Sequence, residues 1–143
     1  MKKKFFRYLP ASLVLLALTL LPLASCTTSS SNQSEFYDAG NADLSITGAQ
    51  FDQYILFRFD TSTSALTLAL PSAADIVDNL SSPFVGEIVY FAVAADGSSA
   101  VTLIPGTNVT IKPSASTVAA NTTLTMYAEL NNVTSGSQEV IIY

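Results

Sequence analysis

A two-residue alternation of apolar side chains recurs along this chain, and no other feature limits its fold as strongly. QYILFRF places Ile55, Phe57 and Phe59 on one face and mixed residues on the other. In SALTLAL (64–70) and TTLTMYAEL (122–130), aliphatic residues also occupy every second position. Because successive side chains of a β-strand point to opposite faces, each segment is predicted to be a strand with one strongly apolar face.

Further strands are predicted on both sides of a turn. VGEIVYFAVAADGSSAVTLIP reads as two strands joined by a hairpin turn at Asp96 and Gly97, a pair that tolerates the positive φ of a tight turn. Two more segments, NVTIK and QEVIIY, bring the total to about seven or eight strands rich in Thr, Val, Tyr and Phe. The predicted fold class is all-β, an antiparallel β-sandwich or jelly roll with one short helix.

The one predicted helix lies in LPSAADIVDNLSSP. Ser72 is placed to cap its first turn, and Asp75 follows three residues later as in a capping box. Ile76, Val77 and Leu80 form its apolar stripe. The helix is predicted to be about two turns long and to end before the proline at position 83.

The amino terminus predicts export from the cytoplasm. Lys2, Lys3, Lys4 and Arg7 precede the apolar segment LPASLVLLALTLLPLA (9–24), which has the layout of a secretory signal peptide. The segment is shorter than the roughly 20 apolar residues of a membrane span and contains two prolines. Its basic start is expected to stay on the cytoplasmic side.

The end of the signal segment resembles the lipobox of bacterial lipoproteins. Leu23, Ala24 and Ser25 lead to Cys26, which is the single cysteine of the chain. The resemblance implies cleavage before Cys26, a diacylglycerol on its thiol and an acylated amino terminus. Thr27, in place of an aspartate, favours the outer membrane in a host with two membranes. An ordinary signal peptide that leaves a free cysteine is the alternative.

Cleavage would leave a strongly acidic chain. The expected organisation is a signal peptide (1–25), a lipidated tether that starts with CTTSSSNQS (26–41) and one β-sandwich domain (42–143). After cleavage only Arg58 and Lys112 oppose all 11 acidic residues, so two bases against 11 acids give a net charge of −9. Nucleic acid is bound through clustered Lys and Arg, and it is therefore not an expected partner.

Most of the folded part also resembles a β-domain found in structural proteins of tailed phages and other viruses, of the head-fibre or capsid-associated type. The matching segments are LTLALPSAADIVDNL, VGEIVYFAVAADGSSAVTLIPGTNVTI and STVAANTTLTMYAELNNVTSGSQEVIIY, which lie within about residues 64–143. The resemblance implies a non-enzymatic sandwich that assembles as a homo-oligomer, often a trimer. A lipid anchor belongs to a cell envelope, so a prophage-derived gene product on the bacterial surface would reconcile both resemblances.

Few residues of the chain are suited to catalysis. It has no histidine, which excludes nucleophilic catalysis with a histidine base and the commonest zinc sites. Asp75 and Asp78 would share a helix face, and Glu87 and Glu129 lie within strands. A helix cap, a solvated side chain or an ion pair with Arg58 or Lys112 is the favoured reading of these acids over a catalytic pair.

Oxygen-rich turns raise the question of calcium. DAGNAD offers Asp38, Asn41 and Asp43, and ADGSS offers Asp96, but neither has the 12-residue spacing of a helix-loop-helix site. Ordinary use in turns is the favoured reading, and no metal or other cofactor is predicted. Four asparagines begin Asn-x-Ser/Thr triplets, which we attribute to the abundance of Asn and Thr at turns: Asn79, Asn108, Asn121 and Asn132.

Four tyrosines on predicted strands, Tyr54, Tyr90, Tyr127 and Tyr143, are candidates for a sugar-stacking or partner-binding surface, with half-buried packing as the alternative. The sequence thus predicts a lipid-anchored, non-enzymatic envelope protein, a structural or surface-interaction module that self-associates or binds a protein or glycan partner. A carbohydrate-binding or weakly hydrolytic domain is the alternative, and an acidic metal-dependent adhesin is a third.

Overall fold

The computed structural model describes residues 36–143, and the predicted signal peptide, Cys26 and the first part of the tether lie outside the described residues. The strands are β1 Tyr37–Gly40, β2 Leu44–Ser45, β3 Leu56–Asp60, β4 Leu66–Ala69, β5 Ile88–Asp96, β6 Val101–Ile104, β7 Val109–Ile111, β8 Thr117–Val118, β9 Thr122–Asn132 and β10 Glu139–Ile142. The helices are α1 Gly48–Gln53 and α2 Ala73–Asn79, with a 3-10 turn at Pro113–Ala115.

Strands dominate the described part, with 45% of residues in strands against 15% in helices, as the sequence predicted. Ten strands are present in place of seven or eight, and two short helices in place of one. The extra strands are short ones such as β1, β2 and β8, whose two to four residues are too few to reveal an alternation. β1 lies before position 42, where the sequence placed the start of the domain.

The strands form two sheets. The larger sheet has the order β1-β3-β5-β9-β10-β7, and the smaller has the order β2-β4-β6-β8. From β1 to β8 the chain enters the larger sheet with every odd strand and the smaller sheet with every even strand. Within this stretch no strand pairs with its neighbour in sequence, whereas the consecutive strands β9 and β10 do pair with each other.

This alternation between sheets makes most of the pairings parallel, which corrects the prediction of an antiparallel sandwich or jelly roll. β1, β3 and β5 run parallel, as do β2, β4 and β6, and β10 pairs with β7 in the same way. Antiparallel pairing joins β5 to β9, β9 to β10 and β6 to β8. A two-residue period specifies the buried face of a strand and carries no information about its partner's direction.

The predicted hairpin at Asp96 and Gly97 was also wrong. β5 pairs with β3 and β9, and β6 pairs with β4 and β8, so this turn carries the chain from one sheet to the other. Gly97 has a φ of +146°, and a Cβ at this position would collide with the backbone of Thr61 and Ser62. The glycine therefore permits a close approach of two chain segments.

The core lies between the apolar faces that the alternation predicted. Phe57, Phe59, Phe91 and Val93 of the larger sheet are buried in one cluster with aliphatic residues of β4 and β6. The predictions for SALTLAL and TTLTMYAEL are confirmed, because the leucines of β4 and Met126, Ala128 and Leu130 of β9 are buried and Leu124 packs partly buried against them. QYILFRF differs at its start: Ile55 is 42% exposed, since the strand begins only at position 56.

Two short helices complete the fold. The α2 prediction is confirmed for its cap and its buried face: the Ser72 side chain accepts a hydrogen bond from the Asp75 amide, and Ile76 and Val77 are buried. The capping box does not form, because the Asp75 carboxylate accepts from the Gly48 amide instead. The helix α1 was not predicted, although Thr47 and Gln50 form a capping box at its start. Within residues 36–143, neither helix has the length or hydrophobicity to cross a bilayer.

Candidate interaction surface

Three of the four candidate tyrosines form a row on the outer face of the larger sheet. Tyr90 on β5 is opposite Tyr127 on β9, and Tyr127 exchanges two backbone hydrogen bonds with Tyr143, which follows β10. Their sequence neighbours Phe91, Met126 and Ile142 are buried in the core, so the three tyrosines point away from it. We call Tyr90, Tyr127 and Tyr143 the tyrosine row.

The fourth tyrosine lies elsewhere. Tyr54 ends α1, where its ring contacts Tyr37 at 5.2 Å and Phe57 at 6.3 Å between ring centroids. It is half-buried and packs against the core, as the alternative reading of the tyrosines described. Tyr127 and Tyr143 are half-buried as well, within the row itself, so Tyr90 is the exposed one of the four candidates.

The rings of the tyrosine row pack on one another. Tyr127 and Tyr143 are stacked, with centroids 5.0 Å apart and an interplanar angle of 14°. Tyr90 and Tyr127 are 6.1 Å apart and tilted by 55°. The ammonium group of Lys112 lies 5.5 Å from the centroid of Tyr143. Aromatic contacts and a cation above a ring both stabilise such a row.

The next row of the outer face contains one acid between two isoleucines. Ile88 on β5 and Ile141 on β10 both lie opposite Glu129 on β9. The pKa of Tyr143 is raised above its usual value, first because neighbouring side chains exclude water from the phenol and then because of the Glu129 carboxylate. Glu129 therefore borders the tyrosine row.

On the other side of the tyrosine row the outer face carries small uncharged residues. Ala92 lies opposite Thr125, and Ala94 lies opposite Thr123. Arg58 follows on β3, beside Ala94. The middle of the outer face is therefore free of charge, and Leu56 on β3, beside Ala92, is its large side chain apart from the tyrosines.

Arg58 is held at this end of the sheet by two acids. Its Nε donates a 2.7 Å hydrogen bond to Asp96, and its Nη1 lies 3.8 Å from Asp38. The hydrogen bond and charge of Asp96, with the charge of Asp38, raise the pKa of the guanidinium. Within residues 36–143, the ion pairs of the structure are these two, so neither Glu87 nor Glu129 pairs with Arg58 or Lys112.

An exposed apolar segment runs into the outer face. Seven large hydrophobic residues are exposed in the described part of the chain, and four of them lie between positions 84 and 90. Phe84 and Val85 are each 61% exposed, Ile88 is 47% exposed and Tyr90 is 60% exposed. We call these four residues the apolar strip. Clustered exposed apolar side chains are typical of interaction sites, whereas single ones are common on any surface.

The apolar strip is anchored to β9. The amide of Gly86 donates a 2.8 Å hydrogen bond to the carbonyl of Leu130, and the Leu130 amide donates to Glu87 at 3.0 Å. The Glu87 carboxylate also accepts a 3.3 Å hydrogen bond from the Phe84 amide, which fixes the turn before β5. These bonds hold Phe84 and Val85 in place just before Ile88, which lies opposite Glu129.

The remaining acids that the sequence singled out have local structural partners or are exposed. Asp75 accepts hydrogen bonds from the Gly48 amide at 2.6 Å and from Asn79 at 3.2 Å, so it joins the start of α1 to α2. Asp78, one turn further along α2, is exposed. These two acids share a helix but do not face each other across a cleft.

The proposed oxygen donors of a calcium site form hydrogen bonds with other groups of the protein, Asp38 within its own turn and Asp43 and Asn41 with distant segments. Asp38 accepts from the Gly40 amide at 3.0 Å, and Asp43 accepts from the Thr67 amide at 2.7 Å. The Asn41 side chain donates to Thr63 at 2.6 Å. Among residues 36–143, no three acidic, cysteine or histidine side chains are close enough together to hold a metal ion.

Turn and cap roles account for the four Asn-x-Ser/Thr triplets. Asn108 and Asn121 adopt φ values of +58° and +53°, a conformation that asparagine tolerates better than most residues. Asn79 donates to the Asp75 carbonyl at 2.8 Å near the end of α2. Asn132 accepts from the Thr134 amide at 2.9 Å.

The apolar strip was missed at the sequence level. The alternation in VGEIVYFAV predicted one strand face with Val85, Glu87, Val89, Phe91 and Val93. The last three are buried as expected, whereas Val85 precedes the strand and is 61% exposed. The opposite face contains Ile88 and Tyr90, which are also large and apolar. The available signal was that this strand has apolar residues on both of its faces. A strand with one face in solvent needs apolar residues only on the face toward the core.

Comparison with known proteins gives no relative: the chain matches no protein-family model, no curated protein and no solved structure. The resemblances to lipoprotein signals and to phage structural domains therefore stay predictions. The function proposed below rests on the chain's own residues.

Proposed function

We propose that this chain is a non-enzymatic interaction module of the bacterial envelope, anchored by lipid on Cys26 and acting through the outer face of its larger sheet. The observation that carries the proposal is the apolar strip, in which four exposed apolar residues lie within seven positions and end in the tyrosine row. Burying such a surface against a partner stabilises a complex by about 25 cal/mol for each Å² removed from water.

The charge distribution is compatible with contact at the middle of this face. All 11 acids of the chain lie after Cys26, and a strongly acidic surface repels acidic partners. The middle of the outer face, with Ala92, Ala94, Thr123 and Thr125, has no charge to desolvate. An uncharged or weakly charged partner surface is therefore favoured here.

The ring geometry supports a protein partner over a glycan. Sugar rings bind aromatic residues by lying on an exposed ring face. Tyr127 and Tyr143 stack against each other at 5.0 Å, so each covers a face of the other, and Tyr90 is tilted by 55° from Tyr127. The row does not form a flat platform of parallel rings. Carbohydrate binding remains the second candidate because Tyr90 keeps an exposed ring.

The proposed anchor would keep the module close to a membrane. Cys26 and Tyr37, the first residue of β1, are 11 positions apart. An extended tether of this length spans at most about 40 Å. Two or three acyl chains hold a protein firmly at a bilayer, since each buried methylene contributes about 0.8 kcal/mol. The outer membrane is the proposed location, and a prophage origin fits the resemblance to phage structural domains.

Fatty-acid labelling tests the anchor. In cells that express the full chain and are grown with an alkyne-labelled palmitate, the wild-type protein is expected to carry the label and the Cys26→Ser protein to lose it. A wild-type chain without label would show that the anchor is wrong.

Photo-crosslinking tests the contact face in the same cells. A benzophenone amino acid in place of Tyr90 is expected to give a covalent adduct, whereas the same group at Ile104, on the outer face of the smaller sheet, gives none. Equal yields at both positions, or no adduct at position 90, would remove the outer face of the larger sheet as the functional surface.

A further inference from the structure

We infer that the partner on the outer face of the larger sheet is a second copy of this chain, which packs the same face against it in a two-fold pair. This inference rests on the proposed function, because it names the partner of that same surface. Three observations support it: the area of the face, the placement of its charges, and the presence of one acid and one base that two copies could pair with each other.

The outer face is large enough for a stable dimer. β5 has nine residues and β9 has 11, so at about 3.4 Å per residue the sheet is about 30 Å tall at its centre. Six strands spaced by about 4.8 Å give a width of about 24 Å. The other four strands have only three to five residues, so the 36 strand residues of the face cover roughly 600 Å². Two copies would together bury about 1,200 Å², the lower end of the range for specific protein interfaces.

The charges of the chain lie mostly away from the centre of this face. Two acidic copies repel each other unless their contact area is neutral. Arg58 is engaged with Asp38 and Asp96 at one end of the sheet. The small residues beside the tyrosine row carry no charge, so two copies can approach there without bringing like charges together.

Two opposite charges near the tyrosine row make the face complementary to itself. Glu129 lies beside Ile88 and Ile141, and Lys112 lies over the ring of Tyr143. Neither charge forms an ion pair within residues 36–143. In a two-fold contact the same surface appears on both sides, so each copy can offer its lysine to the glutamate of the other. A partner surface with charges of one sign could form an ion pair with either Glu129 or Lys112, but not with both.

The test compares two isoleucines in full-length, membrane-anchored chains. Ile88 on the larger sheet is 47% exposed and Ile104 on the smaller sheet is 46% exposed, so they are matched in residue type, exposure and strand setting. Two differently tagged copies are co-expressed, and one tag is captured from mild detergent. We expect Ile88→Glu to reduce recovery of the second tag at least tenfold, because a two-fold pair contains the substitution twice, and Ile104→Glu to leave it unchanged.

A milder variant and the mass of the crosslinked product distinguish loss of the contact from misfolding. Tyr90→Ser removes the exposed ring without adding charge, and we expect it to lower recovery of the second tag while the melting temperature stays within a few degrees. The benzophenone adduct at position 90 should have twice the mass of the chain and contain only its peptides. An adduct with another protein or a glycan would overturn the second copy and leave the proposed function standing. Absence of any adduct, with no co-capture, would overturn both.

Discussion

Tyr127 and Tyr143 exchange two backbone hydrogen bonds, of 3.3 Å and 3.0 Å, and their rings stack at 5.0 Å. The stacking places the phenol of Tyr143 between the ring of Tyr127, the ammonium group of Lys112 and the carboxylate of Glu129. The backbone of the sheet therefore sets both the position and the electrostatic surroundings of one end of the tyrosine row.

The first prediction concerns the ionisation of Tyr143. Partial burial and the Glu129 carboxylate raise the pKa of Tyr143 above the ordinary value of 10.0. In a spectrophotometric titration we expect this phenol to ionise at higher pH than that of a free tyrosine. Glu129→Gln should lower the pKa of Tyr143 only in part, because exclusion of water is the larger cause.

The same shift fixes the direction of a stability change. Below the ordinary pKa the phenol is protonated in both folded and unfolded chains, so the contribution of Tyr143 to the free energy of unfolding is fully present. Above that value the unfolded chain loses the proton first, and the free energy of unfolding is expected to fall as the pH rises through the raised pKa. Glu87→Gln, a change outside the tyrosine row, serves as the control. If Glu87→Gln and Glu129→Gln changed the pKa of Tyr143 by the same amount, Glu129 would not be the acid that raises it.

The second prediction concerns the link between the two helices. Asp75 accepts a 2.6 Å hydrogen bond from the Gly48 amide at the start of α1. Asp75→Ala is expected to lower the free energy of unfolding by about 1–2 kcal/mol, because the amide loses its charged acceptor. Asp78→Ala on the exposed side of α2 should change it by less than about 0.5 kcal/mol. Equal effects in urea unfolding would refute the helix link.

The third prediction concerns a buried hydroxyl. The Thr61 Oγ1 atom is buried and has no hydrogen-bond partner within the described residues. Thr61→Val keeps the shape and removes the cost of the unpaired group, so the free energy of unfolding should rise by about 1 kcal/mol. Thr63→Val, which removes the 2.6 Å bond from Asn41 at an exposed site, should give no gain. Thermal unfolding of both variants measures the difference, and a loss of stability in Thr61→Val would show that the hydroxyl is satisfied in solution.

The fourth prediction concerns the anchoring of α1 to the core. Phe51 is fully buried and its ring centroid lies 5.0 Å from that of Phe91. Phe51→Ala is expected to cost about 3–5 kcal/mol, because it leaves a cavity under the helix. Phe36→Ala removes an exposed ring and should cost far less. A small effect of Phe51→Ala in denaturant unfolding would mean that α1 is not part of the cooperative core.

Local patterns in the sequence were enough to place the long elements. The alternation in SALTLAL and TTLTMYAEL identified buried faces that the structure confirms, and the Ser72 cap located α2. The helix α1 was within reach of the same reasoning, since Thr47 and Gln50 form a capping box, but its six residues carry only one large buried side chain, Phe51. A period of 3.6 residues cannot be recognised in so short a segment.

The candidate site was only partly accessible from the sequence. Tyr54, Tyr90, Tyr127 and Tyr143 were predicted together as candidates for a binding surface, but only Tyr90, Tyr127 and Tyr143 are neighbours in the folded chain. Strand register decides which side chains become neighbours, and register depends on pairing between segments that are distant in the chain. The apolar strip is recognisable only when exposure is measured in the folded chain.

The sequence by itself determined that strands dominate, which face of the long strands is buried, and where one helix is capped, because these follow from side-chain periodicity and local hydrogen bonding. Only the tertiary structure decided that the chain alternates between two sheets and that Tyr90, Tyr127 and Tyr143 meet in one row. Backbone amide and carbonyl groups are the same in every residue, so sequence patterns do not name the partner of a strand. The packing of all strands around one core selects it.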